Sequence, residues 1–392
     1  MVWSPGPPHP GGMRQTLAAD DNSPPAPHDQ DPALVVRAGS PAALLRLIPH
    51  LTGFVPETSL IVIGVSPPRD RIRVTLRYDL PDPPDTDLVT DLAAHAISVL
   101  TAQRLTAAVA VGYGPENLVT PVARELRDAA RQAGVAVREI LRVQDGRYWS
   151  YLCRSEDCCP ATGIPFDATP ADPAEAQALA AVGDQVLSCR AALAARVAPL
   201  GGIAAESMRQ ATRRAERHAT QLLGRVRKSS RLGAVRRMIV AEGLAAVGSM
   251  ITRYRGGGRF TTDDEIARIA VALRDLRIRD DAWARMEPAH AEDHLRLWTD
   301  VVRRAQPGYV AAPAALLAFV AWQSGNGALA NVALDRALAD DPRYSMATLL
   351  REVITAGAPP ALARLPMTPE EVAASYEGQD LDDHDPELED ED

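Results

Sequence analysis

The sequence predicts an α/β domain with a mixed sheet, followed by an all-helical domain, between disordered termini. The chain has 392 residues, more than one hydrophobic core usually organises, so two folded domains are expected. Strand and helix patterns alternate in the first half, and after about Asp172 alanine-rich helical periodicity replaces them. We therefore predict a disordered leader over residues 1–32, the α/β domain over 33–170, the helical domain over 171–366 and an acidic disordered tail over 367–392.

The first predicted elements of the α/β domain are a helix and two strands. Ser40 followed by Pro41 is a good N-cap and first-turn pair, so a helix is predicted to begin there. The apolar run SLIVIGV from Ser59 predicts a buried strand. The run RIRVTLRYDL alternates apolar and polar residues, which predicts a second strand. Its apolar face is expected to hold Ile72, Val74, Leu76 and Tyr78.

Two amphipathic helices are predicted next, with the strand AAVAV between them. The apolar face of the first helix is expected to hold Leu88, Leu92 and Val99. That of the second is expected to hold Val119, Val122, Ala123 and Leu126. Beyond them, Asp145-Gly146 lies between two strand patterns, and this dipeptide favours a tight β-hairpin. Because a hairpin joins antiparallel strands, the sheet is predicted to be mixed.

The helical domain contains a well-defined helix start and a predicted helical hairpin. Thr262 and Glu265 have the spacing of a capping box. The segment AALLAFVAWQSGNGALANVALDRALADDP predicts two helices around a glycine turn, which resembles a tetratricopeptide-type hairpin. The Pro-x-Tyr pattern at Pro307 recurs at Pro342, near the period of that class. An ordinary helical bundle is the alternative.

Composition and charge disfavour two kinds of partner. The net charge of -9 argues against a general polyanion binder. The most basic region holds Arg213, Arg214 and Arg217, which could meet phosphates, but it contains no aromatic ring for base stacking. A solvated helix face is therefore expected, and nucleic-acid binding ranks last among the functions. No apolar run reaches membrane-spanning length, so no membrane partner is predicted and a cytoplasmic location is expected.

The strand ends of the α/β domain offer two candidate ligand sites. Gly112 and Gly114 lie between a strand and a helix, where backbone N–H groups could hold an anion. The third glycine of a dinucleotide fingerprint and a Walker lysine are missing, so a plain turn is the favoured interpretation. Arg77 and Asp79 lie two residues apart on a strand and could bind a polar substrate. Mutual pairing is the favoured alternative for them.

Three of the four cysteines cluster in the segment SYLCRSEDCCPATGIPFD, from Ser150 to Asp167. A loop of this size can fold back and bring Cys153 near Cys158 or Cys159. Nucleophilic catalysis is disfavoured because the neighbouring RSED supplies one arginine against two acids. Structural zinc would need four ligands, so Cys189 or a histidine would have to complete the three sulfurs. A structural thiol loop, a reversible disulfide and a zinc site therefore stay open, and no other cofactor is predicted.

Several segments together resemble an actinobacterial family known as domain of unknown function 4192. They are LIPHLTGFVPETSLIVIG, LRYDLP, GRYWSYLCRSEDCCPATGIPFD, RIRDDAW and LLAFVAWQSGNGALANVALDRALADDPRYSM. They extend over most of residues 34 to 350. The resemblance implies no activity, ligand or catalytic residue.

Three functional hypotheses follow from these patterns. The first is a cytoplasmic accessory or regulatory protein whose helical domain binds a protein partner, since no catalytic set is recognised. The second is a small-molecule sensor or enzyme that uses Gly112, Gly114, Arg77 or Asp79. The third is nucleic-acid binding through the arginine-rich helices.

Overall fold

The computed structural model describes residues 40–67, 71–182, 186–226, 232–258, 260–360 and 367–382. The chain divides into two compact units, Met1–Arg190 and Ala191–Asp392. The first is an α/β unit with a mixed sheet and the second is helical, as the sequence predicts. The predicted leader, residues 1–32, lies outside the described residues.

The sheet of the α/β unit has six strands in the order β2-β1-β3-β4-β5-β6 among the described residues. Only β3 and β4 are parallel, and all other neighbours are antiparallel. The mixed sheet predicted from the hairpin signal is therefore confirmed. The strands are β1 Ser59–Ser66, β2 Arg71–Asp79, β3 Ala107–Tyr113, β4 Ala136–Gln144, β5 Arg147–Ser150 and β6 Ile164–Pro165.

Helices cover both faces of this sheet. Helices α2, Thr86–Ala102, and α3, Glu116–Gln132, pack on one face. Helices α1, Pro41–Thr52, and α4, Pro173–Ala180, pack on the other. The predicted start of α1 is confirmed, since the Ser40 side chain accepts the Ala43 N–H at 3.2 Å.

Two predicted apolar faces need correction. Ile72 packs on the α1 face of the sheet, whereas Val74, Leu76 and Tyr78 pack on the α2–α3 face. The cause is a register irregularity opposite Gly64 and Val65, which inserts one extra residue into β2 and reverses the alternation. Leu88 is also exposed, and Val89 takes the buried position in α2.

The structure ends the α/β unit at Arg190, beyond the predicted boundary at residue 170. Helix α4 packs on α1, and Arg46 joins them because its Nε donates to Glu175 Oε1 at 2.9 Å. Leu187 also forms a bridge with Phe54 and donates its N–H to the Gly53 carbonyl. The segment after the cysteine loop thus returns to the sheet.

The hairpin that carries the cysteine loop has the expected turn. Asp145 and Gly146 have φ angles of 50° and 70°, the left-handed region that a two-residue type I′ turn requires. This turn places β5 beside β4 with Tyr148 opposite Val143. The predicted hairpin is therefore confirmed.

The second unit contains only helices among its described residues. They are α5 Arg190–Ala195, which begins at the boundary, α6 Gly202–Val226, α7 Leu232–Arg255, α8 Asp263–Ala272, α9 Leu276–Ala284, a 3-10 turn Pro288–His290, α10 Ala291–Arg304, α11 Ala311–Gln323, α12 Gly327–Asp340, α13 Ser345–Thr355 and α14 Pro369–Asp382. The capping box at the start of α8 is confirmed by reciprocal bonds between Thr262 and Glu265. None of the described helices has both the length and the apolar character needed to cross a membrane.

Helices α11 and α12 form the predicted hairpin. Every residue of α11 from Ala311 to Trp322 is buried. The Asp340 carboxylate, at the end of α12, accepts backbone N–H groups of Gly308, Val310 and Ala311 at 2.7, 2.8 and 3.0 Å. This side chain ties the end of one helix to the start of the other, as a cap would.

Part of the predicted acidic tail is a helix instead. Within residues 367–392, α14 spans Pro369–Asp382, and only residues 383–392 lie outside the described range. Thr368 and Glu371 exchange hydrogen bonds at its start, Val372 is buried, and the Tyr376 hydroxyl donates to Asp280 at 2.7 Å. The acidic composition led to a prediction of disorder, although the segment contains the capping box of Thr368 and Glu371 and two anchoring side chains, Val372 and Tyr376.

Candidate functional site

Gly112 and Gly114 occupy the end of β3 for reasons of packing and hydrogen bonding. A Cβ on Gly112 would lie 2.3 Å from a Val119 methyl group, so glycine is needed for α3 to approach the sheet. Gly114 has a φ of 140° and donates its N–H to the Val143 carbonyl at 2.9 Å. The Gly114 N–H is therefore occupied, and these glycines fit the plain turn better than an anion cradle.

Arg77 and Asp79 form the mutual pair that the sequence analysis favoured. The Arg77 guanidinium binds the Asp79 carboxylate and also donates to Ser59 Oγ at 2.9 Å. It lies 5.4 Å from the Phe54 ring centroid. The pair is on the α1 face of the sheet, opposite to the face where Gly112 meets Val119, so the two predicted sites do not combine.

The basic segment of the helical unit is partly neutralised by acids of the same unit. Arg214 binds Asp264 at 2.7 Å, and Arg209 pairs with Glu206. These pairs fit the solvated helix face that the sequence predicts, and the acids that bind Arg214 and Arg209 belong to the helical unit itself.

The three clustered cysteines converge in the structure. Cys153, Cys158 and Cys159 are free thiols whose Sγ atoms all lie within 4.8 Å of one another. The fold-back of the loop predicted from its length is therefore confirmed. Within the described ranges, neither Cys189 nor a histidine belongs to this cluster. We call the three residues the thiol cluster.

Ser150, the last residue of β5, positions the start of the cysteine loop. Its hydroxyl oxygen accepts the N–H groups of Leu152 and Cys153 at 3.1 and 3.0 Å. The same hydroxyl donates to Glu139 Oε1 at 2.8 Å. Since β4 holds Glu139, the loop is fixed to two adjacent strands at once.

The second half of the loop is fixed by Arg147 and Trp149. Arg147 donates to the carbonyl oxygens of Thr162 and Gly163, and the Trp149 indole N–H donates to the Ala161 carbonyl at 3.0 Å. Gly163 has a φ of 77°, and a Cβ there would lie 2.5 Å from the Trp149 ring. Glycine is therefore required at this position for two reasons, the left-handed backbone conformation and the close contact with the Trp149 ring.

A short turn brings the two adjacent cysteines toward the first. The backbone N–H groups of Cys158 and Cys159 both donate to the Ser155 carbonyl, at 3.2 and 2.7 Å. The Ser155 backbone is also the main cause that lowers the pKa of Cys153. A backbone N–H directed at a sulfur stabilises the thiolate form, so this turn makes the Cys153 thiol easier to ionise.

The pKa values of two neighbouring thiols are shifted in opposite directions. The Ser155 N–H and the Cys159 thiol, both donating to Cys153, lower the pKa of Cys153 below its ordinary value. Burial and the hydrogen bonds with Cys153 and Cys158 raise the pKa of Cys159 to about 12. Cys159 therefore keeps its proton at neutral pH.

Sequence reasoning missed the residues that support the cluster. Glu139 and Ser150 are separated along the chain and meet only because β4 and β5 pair. Arg142 and Trp149 are opposite each other in the same ladder and stack at 3.6 Å. The available signal was the hairpin itself, since the predicted turn at Asp145-Gly146 sets the register that brings Arg142 opposite Trp149.

Comparison with known proteins gives one finding. A family model described as Domain of unknown function (DUF4192) matches residues 41–361, more than four fifths of the chain. No curated protein and no solved structure matches the chain. The matched range includes the thiol cluster, the residues that position it and most of the helical unit.

Proposed function

We propose that this chain, which belongs to the DUF4192 family, is an accessory protein that binds one thiophilic metal ion, zinc in the first place, through Cys153, Cys158 and Cys159. The observation that carries the proposal is the convergence of three free Sγ atoms within 4.8 Å. Zn–S bonds of about 2.3 Å in a tetrahedral site place sulfurs about 3.8 Å apart. Closing the cluster around an ion therefore needs movements of about 1 Å.

The donor set fits zinc in charge and softness. Thiolates are the ligands that zinc and other soft or borderline metals prefer. Three thiolates side by side repel one another, which accords with the raised pKa of Cys159, where burial is the main cause. A divalent cation would remove that repulsion and displace the remaining thiol protons.

Three protein ligands leave a fourth coordination position. Structural zinc sites fill all four positions with protein atoms, whereas sites with three protein ligands take water or another ligand in the fourth. Among the described residues the cluster has three members, and Cys158 is exposed. An exchangeable ligand from solution is therefore part of the proposal.

The metal experiment uses the full-length protein, reduced and stripped of metal with a chelator. Titration with zinc against a competing chromophoric chelator is expected to show about one site per chain. Cys159→Ser is expected to lower the zinc affinity by at least about a hundredfold. The control is Cys189→Ser, which removes a cysteine outside the cluster and leaves the affinity unchanged. Equal affinity in both variants would contradict the proposal.

Reversible disulfide formation is the second candidate, and the unequal thiols favour it. Cys153, whose pKa is lowered, lies within 4.8 Å of Cys159, whose pKa is raised, so the sulfur that ionises more readily has a second thiol beside it with which to form a disulfide once an oxidant has acted. Mild peroxide followed by thiol counting tests it. Loss of two thiols in the metal-free protein, with no zinc bound at micromolar concentration, would replace the metal proposal by this one.

The proposal also includes a cytoplasmic location and a protein partner for the helical unit. Four free cysteines are consistent with a reducing compartment. Leu349 and Val353 lie four residues apart on α13 with exposed fractions of 60% and 37%, so they form an apolar strip on one helix face. A partner that presents an apolar helix face would suit this strip.

The partner is tested by affinity capture with two variants. The double variant Leu349→Asp, Val353→Asp changes exposed positions only and is expected to fold normally and to lose the captured protein. Leu88→Asp, which changes an exposed leucine of the α/β unit, is the matched control. Capture that is equal in all three proteins would remove α13 from the proposal.

A further inference from the structure

Arg142, in β4, is a buried charge with no acidic partner. Only 7% of its surface is exposed, and no described residue places a carboxylate within 4 Å of its guanidinium. Buried charges in proteins are normally paired or bound to a ligand, because an isolated charge is costly to remove from water. Because no described acidic side chain pairs with Arg142, an anionic ligand would supply the missing negative charge.

The guanidinium of Arg142 is held in one orientation. It lies 3.6 Å from the centroid of the Trp149 ring, and Nη1 donates to Gln144 Oε1 at 2.9 Å. Stacking fixes the plane of the group and covers one of its faces. The other N–H groups along the edge of the guanidinium remain to donate to a ligand. The spacing of such N–H groups matches the two oxygens of a carboxylate.

Arg142 is also at the position where α/β sheets bind ligands. It pairs with Gly112 near the carboxyl ends of β3 and β4, the only parallel strands in the described sheet. It faces α3, because a Cβ on Gly112 would meet Val119 of that helix. Near it, the hydroxyl groups of Tyr151 and Thr120 lie 2.7 Å apart; burial raises the pKa of Tyr151, and the bond with Thr120 and the positive charge of Arg142 oppose that rise.

We propose that Arg142, stacked on Trp149, binds the carboxylate group of a small molecule at the carboxyl ends of β3 and β4. The start of α3 adds the partial positive charge of its first N–H groups, and its N-cap, Pro115, offers no side-chain cap. Glu116, in the first turn of α3, disfavours a multiply charged group such as phosphate.

This site is distinct from the thiol cluster but shares one residue with it. The Trp149 indole that covers Arg142 also donates to the Ala161 carbonyl, two residues after Cys159. The proposed carboxylate does not require a metal, and the metal does not require Arg142. Failure of one proposal therefore leaves the other standing.

The test measures the melting temperature of the full-length, metal-free protein while acetate replaces chloride at constant ionic strength. Acetate is expected to raise the melting temperature of the wild type by about 2 °C or more at saturation. Arg142→Gln is expected to abolish the shift. Arg131→Gln changes an exposed arginine at the end of the same α3 and is expected to keep it.

A second readout covers the case in which Arg142→Gln does not fold. Acetate bound beside the stacked ring is expected to change the tryptophan fluorescence of the wild type, and Trp149→Phe is expected to lose that change. No acetate-dependent change in melting temperature or fluorescence, or an equal temperature shift in a folded Arg142→Gln variant, would overturn the proposal. A larger Arg142-dependent shift with phosphate than with acetate would overturn the assignment to carboxylates.

Discussion

The Arg77–Asp79 pair and the cysteine loop are two regions of the α/β unit with polar side chains near strand ends. Only the cysteine loop leaves these side chains available to bind a ligand. In β2, Arg77 binds Asp79 and also donates to Ser59 of β1, so the charges of Arg77 and Asp79 neutralise each other. In the cysteine loop, three thiols meet without a disulfide between them. The first region lies at the end of β2 and the second follows β5, and both were candidates from the sequence.

The difference lies in what each region lacks. The charges of Arg77 and Asp79 neutralise each other, although Arg77 Nε is buried without a hydrogen-bond partner in the described part of the chain, and the Asp79 side chain is 75% exposed to solvent. The thiol cluster is held by Ser150, Trp149 and Arg147, and its sulfurs interact with one another but form no disulfide and have no fourth protein ligand among the described residues. A cluster that is rigidly positioned but chemically incomplete is the stronger indication of a binding site.

The largest expected effect is the pH dependence of zinc affinity at the thiol cluster. Zinc binds thiolates, so each thiol proton must be released, and the raised pKa of Cys159 keeps its proton on at neutral pH. Affinity should therefore rise with pH, by about a hundredfold or more per unit near pH 6 to 7. Competition titrations at several pH values measure it, and a flat profile would exclude thiolate ligands.

The next effect compares two glycines with similar backbone angles. Gly163→Ala places a Cβ against the Trp149 ring at a φ of 77° and should reduce the free energy of unfolding by about 2–4 kcal/mol. Gly134→Ala, at a φ of 72° with no atom within 4 Å, should reduce it by about 1 kcal/mol. Chemical denaturation measures both, and equal losses would show that the ring contact does not hold the loop.

Ser150→Ala tests how far the cluster depends on its support. It leaves the N–H groups of Leu152 and Cys153 without their acceptor and removes one of the two hydrogen bonds that described residues donate to Glu139 Oε1, a loss of about 1–2 kcal/mol in stability. Zinc affinity should fall about 10- to 100-fold. Ser98→Ala removes a hydroxyl that bonds only to the His95 carbonyl and should change neither quantity. An unchanged affinity in Ser150→Ala would argue against positioning by this hydroxyl.

The smallest effect is expected at the Arg77–Asp79 pair. Asp79→Asn removes an exposed acid from Arg77, and exposed ion pairs contribute about 0–1 kcal/mol. The free energy of unfolding should change by less than about 1 kcal/mol, and zinc stoichiometry should stay the same. A loss of ligand binding in this variant would return the strand-end pair to the list of functional sites.

Local signals in the sequence predicted helix starts and a turn in both units. The N-cap at Ser40, the turn at Asp145-Gly146 and the capping box of Thr262 with Glu265 all depend on neighbouring residues, and all three are confirmed. The predicted face of Ile72 was wrong, because the bulge in β2 arises from the pairing of two strands and cannot be recognised in the sequence of one strand.

The candidate site was predictable in part for the same reason. The return of Cys158 and Cys159 to Cys153 is a short-range event that loop length alone allows. The Ser150–Glu139 bond and the Arg142–Trp149 stack depend on cross-strand register, which composition does not contain. Helix α14 was missed because its acidic composition outweighed one buried valine and one tyrosine in the pattern.

The most direct test of the metal proposal is X-ray absorption spectroscopy of the zinc-loaded full-length protein. We expect three sulfur ligands at about 2.3 Å and one oxygen or nitrogen ligand at about 2.0 Å, since the thiol cluster supplies three of the four positions. Cys159→Ser should lower the sulfur count from three to two. A shell of only oxygen and nitrogen, or of four sulfurs, would contradict the three-thiol site.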